Sequence, residues 1–130
     1  VQAKRVEAMR AACEDAGIPA YVNARTDIFL KAPAETHDEA MLNDAIARAS
    51  AYEAAGASGF FAPGLKDEAM IGHLCERTNL PVNIIALPGT PGTPRLAELG
   101  VARVSYGPVP YRQMIKWLTD QAHAAIHYRT

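Results

Sequence analysis

The sequence has no long apolar stretch, few cysteines and almost no excess charge. No apolar run approaches the roughly 20 residues of a membrane-spanning helix, and no signal-peptide pattern precedes the first helical pattern, so we expect a cytoplasmic protein without a membrane partner. Thirteen Lys and Arg against fourteen Asp and Glu leave a net charge of −1, with no basic block or acidic tail. A nucleic-acid partner is therefore not predicted.

Only two cysteines are present, and neither stands in a CxxC or Cys/His spacing. Cys13 and Cys75 each fall in a helical pattern, so we interpret both as small buried residues in a reducing compartment. His123 and His127 are four residues apart, but two ligands without a third do not predict a metal site. No Ser/His/Asp or Cys/His arrangement is present, so the catalytic residues stay unknown.

The length of 130 residues suits one domain, and we interpret residues 1–130 as a single α/β segment. The chain starts at Val1, without an initiator Met and inside a helical pattern, as a fragment would. Helical and strand patterns then alternate in the order α-β-α-β-α-β-α-β-α. The expected strands lie at about 20–25, 58–62, 82–87 and 101–106.

Three helix starts are predicted from local signals. Thr36-x-x-Glu39 matches a capping box before the second helix. Asp67 is placed to cap the third helix, and Thr93 is a natural N-cap for the fourth, with Pro94 as its first helical residue.

Strands that alternate with helices predict right-handed crossovers and a parallel sheet. Two architectures fit four such strands. One is a small, open, doubly wound sheet with helices on both faces. The other is half of a (βα)8 barrel, which needs about 250 residues when complete. The half barrel would leave two unpaired strand edges that favour association.

Arg25 ends the first strand, where the chain should leave the core. Substrates bind at the carboxyl ends of parallel strands, so an Arg at this height can clamp an anion. A structural pair with Asp27 explains the same residue equally well, because a guanidinium near a core needs a partner.

Polar residues also mark the later strands. Asn83 interrupts an apolar strand and is either a substrate contact at the strand end or a side chain bonded to backbone. Arg103 and Ser105 share one face of the fourth strand, where Ser105 can donate to a carboxylate and Arg103 needs a partner. The loop Pro88–Thr93 lacks the Gly-Lys-Ser/Thr ending of a phosphate loop, so it is a rigid connector or a backbone anion site.

Three stretches together resemble a known superfamily. They are Asn23-Ala-Arg-Thr-Asp27; Ala45-Ile-Ala-Arg-Ala-Ser-Ala-Tyr52 with Ala55-Gly-Ala57; and Pro81-Val-Asn-Ile84 followed by Glu98-Leu-Gly-Val-Ala-Arg-Val-Ser105. From Val1 to about Tyr111 the chain resembles the isocitrate lyase/phosphoenolpyruvate mutase superfamily, in particular its carboxyvinyl-carboxyphosphonate phosphorylmutase and 2-methylisocitrate lyase-like members. The resemblance implies the C-terminal half of a TIM-type (βα)8 barrel, strands five to eight.

The resemblance also implies an activity. Proteins of this superfamily make or break C–C or P–C bonds beside a carboxylate, with Mg²⁺ holding a small α-keto acid or its enolate. It places Arg25 on the Arg that binds the substrate carboxylate or phosphonate, Asn83 on an Asn that faces the active site, and Ser105 near the mouth of strand eight. The alternative is a non-catalytic α/β module that binds a phosphorylated or carboxylate ligand.

The chain departs from the superfamily pattern in two ways. The lyases carry a Glu at the end of strand six, where this chain has Ala62-Pro63-Gly64. The metal-binding acids and the catalytic Cys loop belong to strands one to four, so no metal ligand is expected here and the isolated segment should be inactive. The superfamily's last helix commonly packs on a neighbouring subunit, which implies a homo-oligomer formed through Tyr111 to Tyr128.

Overall fold

The computed structural model describes residues 1–128, in which five α-helices and four strands alternate in the predicted order. The helices are α1 (Gln2–Asp15), α2 (Glu39–Ala54), α3 (Glu68–Glu76), α4 (Thr93–Glu98) and α5 (Val109–His127). The strands are β1 (Asn23–Arg25), β2 (Gly59–Phe61), β3 (Val82–Ile85) and β4 (Arg103–Ser105). A short 3-10 helix, Ala34–Thr36, lies between β1 and α2.

The four strands form one parallel sheet in the order β1-β2-β3-β4. The register pairs Ala24 with Phe60 and Phe60 with Val82, so these side chains point to the same face of the sheet. All three belong to one hydrophobic cluster, together with Ile84. Helix residues complete that cluster, among them Leu42, Ala45, Ala49, Ile71, Leu74 and Leu96.

The opposite face of the sheet is not covered by the described helices. Arg25, Phe61, Asn83 and Arg103 pair in one row across the four strands, and Ile85 pairs with Ser105 in the next row. Neither Phe61 nor Ile85 joins the hydrophobic cluster. A doubly wound sheet carries helices on both faces, whereas a barrel strand carries them on its outer face only. The one-sided core therefore favours the half barrel.

Local signals predicted the N-cap of the third helix correctly, but they predicted the wrong N-cap for the second helix. The Asp67 carboxylate accepts a hydrogen bond from the backbone N–H three residues later, at 2.9 Å. The capping box at Thr36 is wrong, because Asp38 is the N-cap of α2 and accepts from the N–H three residues later, at 2.8 Å. The Thr36 hydroxyl is engaged in the 3-10 helix, where it donates to the Pro33 carbonyl.

The predicted start of the fourth helix is wrong by one residue. Gly92 is the N-cap, and Thr93 is already the first residue of α4, where its side chain caps nothing. Pro94 follows within the first turn, where its missing N–H costs no helix bond.

Arg10 joins α1 to the connections around β1 and β2. Its guanidinium donates from Nε to the Gly56 carbonyl at 2.9 Å, from Nη1 to the Ala20 carbonyl at 3.2 Å and from Nη2 to Ser58 Oγ at 2.7 Å. Ser58 Oγ also accepts from the backbone N–H of Val22, at 3.1 Å. One side chain therefore satisfies polar groups of three separate segments.

The final helix, α5, has no buried residue in the described chain. Its large apolar side chains are between 42% and 68% exposed: Tyr111, Met114, Ile115, Trp117, Leu118 and Ile126. No helix within residues 1–128 is both long and apolar enough to cross a membrane.

The two cysteines are free thiols. Both are half-buried, whereas the sequence pattern predicted that they are buried. Burial raises the pKa of the Cys75 thiol from 9.0 to about 11, and the neighbouring Glu76 carboxylate adds to the rise. Because the folded-state pKa lies above the unfolded one, the contribution of Cys75 to stability is present below pH 9 and is lost as the pH rises towards 11.

We expect Cys75 to react slowly with iodoacetamide in the folded chain. At pH 9 roughly 1% of the folded thiol and half of the unfolded thiol are ionised, so alkylation should be about 50-fold slower than in denaturant. Mass spectrometry of quenched samples measures the rate at Cys75 separately from Cys13. Equal alkylation rates of Cys75 in buffer and in denaturant would contradict the raised pKa.

Candidate active site

An open cleft of about 860 Å³ lies at the carboxyl ends of the four strands. Its lining includes the strand-end residues Arg25, Phe61, Ile85 and Ser105. Arg103, the first residue of β4, also lines the cleft. Arg112 adds a third guanidinium, and none of the lining residues is Asp or Glu. The cleft is thus a concave site of positive potential, which attracts anions.

Arg25 is the last residue of β1, and the structure places it both in the cleft and in an ion pair. Its Nε donates to Asp27 Oδ1 at 2.5 Å, and its guanidinium lies 5.8 Å from the centre of the Phe61 ring. The side chain is 48% exposed. Since Asp27 uses only Nε, the two terminal nitrogens remain free among the described residues to bind an oxyanion side by side.

Asn83 lies in the middle of the open-face row and is only 2% exposed. Ser105 Oγ donates to its Oδ1 at 3.0 Å, so the amide is held by a side chain and not by backbone. The Asn83 amide nitrogen has no acceptor in the described part of the chain, and Asn83 is not among the residues that line the cleft. The Ser105 proton is used on Asn83, so towards the cleft Ser105 presents oxygen lone pairs.

Two further arginines extend the cationic lining. Arg103 lies in the same row as Arg25, three strand spacings away, which is about 14 Å. Arg112 lies in the first turn of α5. Neither has an ion-pair partner among residues 1–128, so both leave their positive charge to the cleft.

The sequence pattern gives Arg103 no role and does not single out Arg112. A signal for Arg112 was nevertheless present. A cation in the first turn of a helix opposes the helix dipole, so it is unfavourable there unless an anion or a ligand offsets it.

The loop Pro88–Thr93 uses its polar groups internally. Thr90 Oγ1 donates to the Ile85 carbonyl and accepts from the Leu87 N–H, both at 3.2 Å. The Pro88 carbonyl accepts from Lys66 Nζ at 2.7 Å. These bonds support the rigid connector, and none of them uses the N–H groups of Gly89 and Gly92, so the backbone anion site stays an untested alternative.

The described residues do not fit a magnesium site. No group of three or more His, Cys, Asp or Glu side chains converges within residues 1–128. At the end of β2, where the superfamily's lyases carry a Glu, Pro63 lines the cleft.

Comparison with known proteins gives a consistent result. A family model described as phosphoenolpyruvate phosphomutase matches residues 1–126. A solved structure assigned as a phosphonomutase from Burkholderia cenocepacia is 48% identical, with a TM-score of 0.90 over 95% of this chain and 49% of that one. A curated oxaloacetate decarboxylase from Ectopseudomonas mendocina is 35% identical over 106 residues, which are 79% of this chain and 37% of that protein.

Two further proteins are similar to this chain. A Mycobacterium tuberculosis protein named only as uncharacterised is 41% identical over 81% of this chain and 37% of its own length. The structure of 2,3-dimethylmalate lyase, at 19% identity and a TM-score of 0.79, shares the fold. The chain spans less than half the length of these relatives. Because it matches about half of each related fold, the predicted half of a TIM-type barrel is confirmed.

Proposed function

Because this chain belongs to the phosphoenolpyruvate phosphomutase family, we propose that it forms the anion-binding wall of a lyase or phosphonomutase acting on small α-keto or hydroxy acids. The proposed reaction makes or breaks a C–C or P–C bond. One observation carries the proposal: three arginines and no carboxylate line the cleft at the strand ends. The relative named as oxaloacetate decarboxylase acts, by that name, on such an acid.

The residues of the cleft suit binding and charge stabilisation. The terminal nitrogens of Arg25 match the two oxygens of a carboxylate or phosphonate. Asn83 is buried and does not line the cleft, so it supports the site through its hydrogen bond with Ser105, which does. When a bond beside a carbonyl breaks, negative charge develops on the carbonyl oxygen, and fixed guanidinium groups stabilise it.

The lining contains no Asp, Glu, His or Lys, and Tyr106 is the one lining residue with a hydroxyl on an aromatic ring. We assign binding and orientation of the substrate to the described cleft and leave the catalytic residues unassigned. Dependence on Mg²⁺ remains an expectation from the family. The two free thiols support the cytoplasmic location expected from the sequence.

Titration of the full, isotope-labelled chain with oxalate tests this function. Oxalate is a small dicarboxylate, and neutral oxamide has nearly the same shape. We expect saturable shifts of backbone amide signals at Arg25, Ser105 and Arg112 with oxalate and none with oxamide. Shifts that are scattered over the surface, or equal for the two compounds, would overturn the proposal.

We also propose that the protein forms a homo-oligomer through α5. The row of apolar side chains on this helix is exposed, and a second copy of the chain would bury it. The superfamily resemblance points to the same helix.

Light scattering at micromolar concentration tests this assembly. We expect a dimer or larger species for the natural chain and a monomer for Trp117→Lys/Leu118→Lys, because two charges would then enter an apolar interface. Thr119→Lys/Gln121→Lys, on the same helix, adds equal charge and should keep the assembly. A monomeric natural chain would contradict the proposal.

A further inference from the structure

A second concave surface adjoins the cleft and shares Arg25 with it. Its volume is about 440 Å³, and we call it the β1 recess. It is lined by Gln2, Arg5, Arg25, Thr26, Asp27, Lys31, Arg48 and Tyr52. Four of these residues are cationic, and Asp27 is the only acidic one.

Two of the four positive charges are neutralised by neighbouring carboxylates. Arg25 pairs with Asp27, and Arg48 binds Asp44 through two nitrogens, at 2.9 and 3.3 Å.

The other two charges are not neutralised. Arg5 donates only to the neutral amide of Gln2, at 3.3 Å. The Lys31 ammonium has no partner among residues 1–128. Two positive charges without a carboxylate partner therefore remain among the lining residues, and both side chains are exposed, so an anion that enters the recess can reach them.

Thr26 adds a buried hydroxyl to the lining. It directly follows β1 and is 1% exposed. Its Oγ1 accepts from Arg48 Nη1 at 3.4 Å, and within the described residues its own proton has no acceptor. A buried hydroxyl is costly when its donor is unused. The hydroxyl can thus donate to an acceptor bound in the recess.

The groups that converge on the recess are mainly donors. A hydroxyl, two guanidinium groups and an ammonium group offer hydrogens to the recess, and the Thr26 oxygen, which accepts from Arg48, is the one acceptor among these four groups. A tetrahedral oxyanion, with acceptor oxygens in every direction, matches this set better than a planar carboxylate.

We propose that the β1 recess is a second anion site that binds a phosphate-class oxyanion through Arg5, Lys31, Arg48 and Thr26. The ligand is inorganic phosphate or the phosphoryl group of a small metabolite, which share this chemistry. The four residues are outside the lining of the cleft, so the site goes beyond the proposed function and does not depend on it.

Titration of the full chain with inorganic phosphate at low ionic strength, followed by backbone amide shifts, tests the second site. We expect saturable shifts at Thr26, Lys31 and Arg48. The double variant Arg5→Gln/Lys31→Gln should lose about tenfold in phosphate affinity, because both uncompensated charges are gone. Thr26→Ser, which keeps the hydroxyl, should bind as the natural chain does.

A control variant removes two positive charges from outside the β1 recess. Lys4→Gln/Lys116→Gln alters two exposed lysines outside the recess and should change phosphate affinity less than twofold. An equal loss in the two double variants would show that only net charge matters and would overturn the proposal, as would shifts confined to the cleft.

Two further titrations ask which phosphate-class ligand binds and whether the recess and the cleft bind independently. Tighter binding of glycerol phosphate than of phosphate at the same amides identifies a phosphorylated metabolite, and equal affinity identifies phosphate itself. Oxalate binding by Arg5→Gln/Lys31→Gln should be unchanged. Oxalate shifts at the cleft without phosphate shifts at the recess would overturn the second site and leave the proposed function standing.

Discussion

Replacement of Arg25 by methionine is expected to weaken oxalate binding to the cleft by about 30-fold, or about 2 kcal/mol. Methionine keeps an apolar stem near the Phe61 ring but removes the charge and the paired donors. The expected loss is at the lower end for a charged hydrogen-bonding group because the side chain is 48% exposed. Isothermal titration with oxalate measures it.

A matched control is Arg77→Met. Arg77 is 49% exposed and is paired with Glu39, so it resembles Arg25 in burial and pairing but lies outside the cleft. Its replacement should leave oxalate binding unchanged. Arg25→Lys, which keeps the charge without the planar fork, should show an intermediate loss.

The same titration decides between the two interpretations of Arg25. Asp27→Asn removes the ion pair and leaves the guanidinium in place. For an anion clamp, this variant should bind oxalate at least as well as the natural chain, because a competing carboxylate is gone. If Arg25 served only to pair with Asp27, Arg25→Met would leave oxalate affinity unchanged and the clamp would be disproved.

Replacement of Arg10 by methionine is expected to lower the free energy of unfolding by about 2–4 kcal/mol. Three hydrogen bonds are lost at once, and the acceptors left behind belong to half-buried segments, namely the Gly56 and Ala20 carbonyls and Ser58 Oγ. Urea unfolding followed by circular dichroism measures the change, provided that the slope with urea is unchanged.

Arg5→Met is the matched control for this prediction. Arg5 lies in the same helix and makes one exposed hydrogen bond, to Gln2. Its replacement should change stability by less than about 0.5 kcal/mol. Similar losses for the two variants would mean that helix propensity, and not the bridge between segments, explains the effect.

The superfamily resemblance predicted three site residues that lie near one another in the structure. Arg25 and Ser105 line one cleft, and Asn83 is tied to Ser105 by a hydrogen bond. Their roles in substrate binding remain predictions that the titrations above address. The family itself is established by the match to residues 1–126.

Local sequence alone determined the order of the elements and the parallel sheet. Helical periodicity, the Asp67 cap and the glycines that end helices act over a few residues, so they can be identified without the fold. Gly56 and Gly100 show this, since each stops a helix with a positive φ, of 87° and 88° respectively. Thr36 shows the limit, because its hydroxyl was engaged by a turn that the pattern did not indicate.

Only the tertiary structure decided which sheet face is covered, which side chains share the cleft and what Arg10 binds. Arg10 meets partners 46 and 48 residues away, and Ser105 meets Asn83 across 22 residues. Such contacts depend on where each helix returns the chain to the sheet. That geometry results from packing of the whole core, so no short stretch of sequence specifies it.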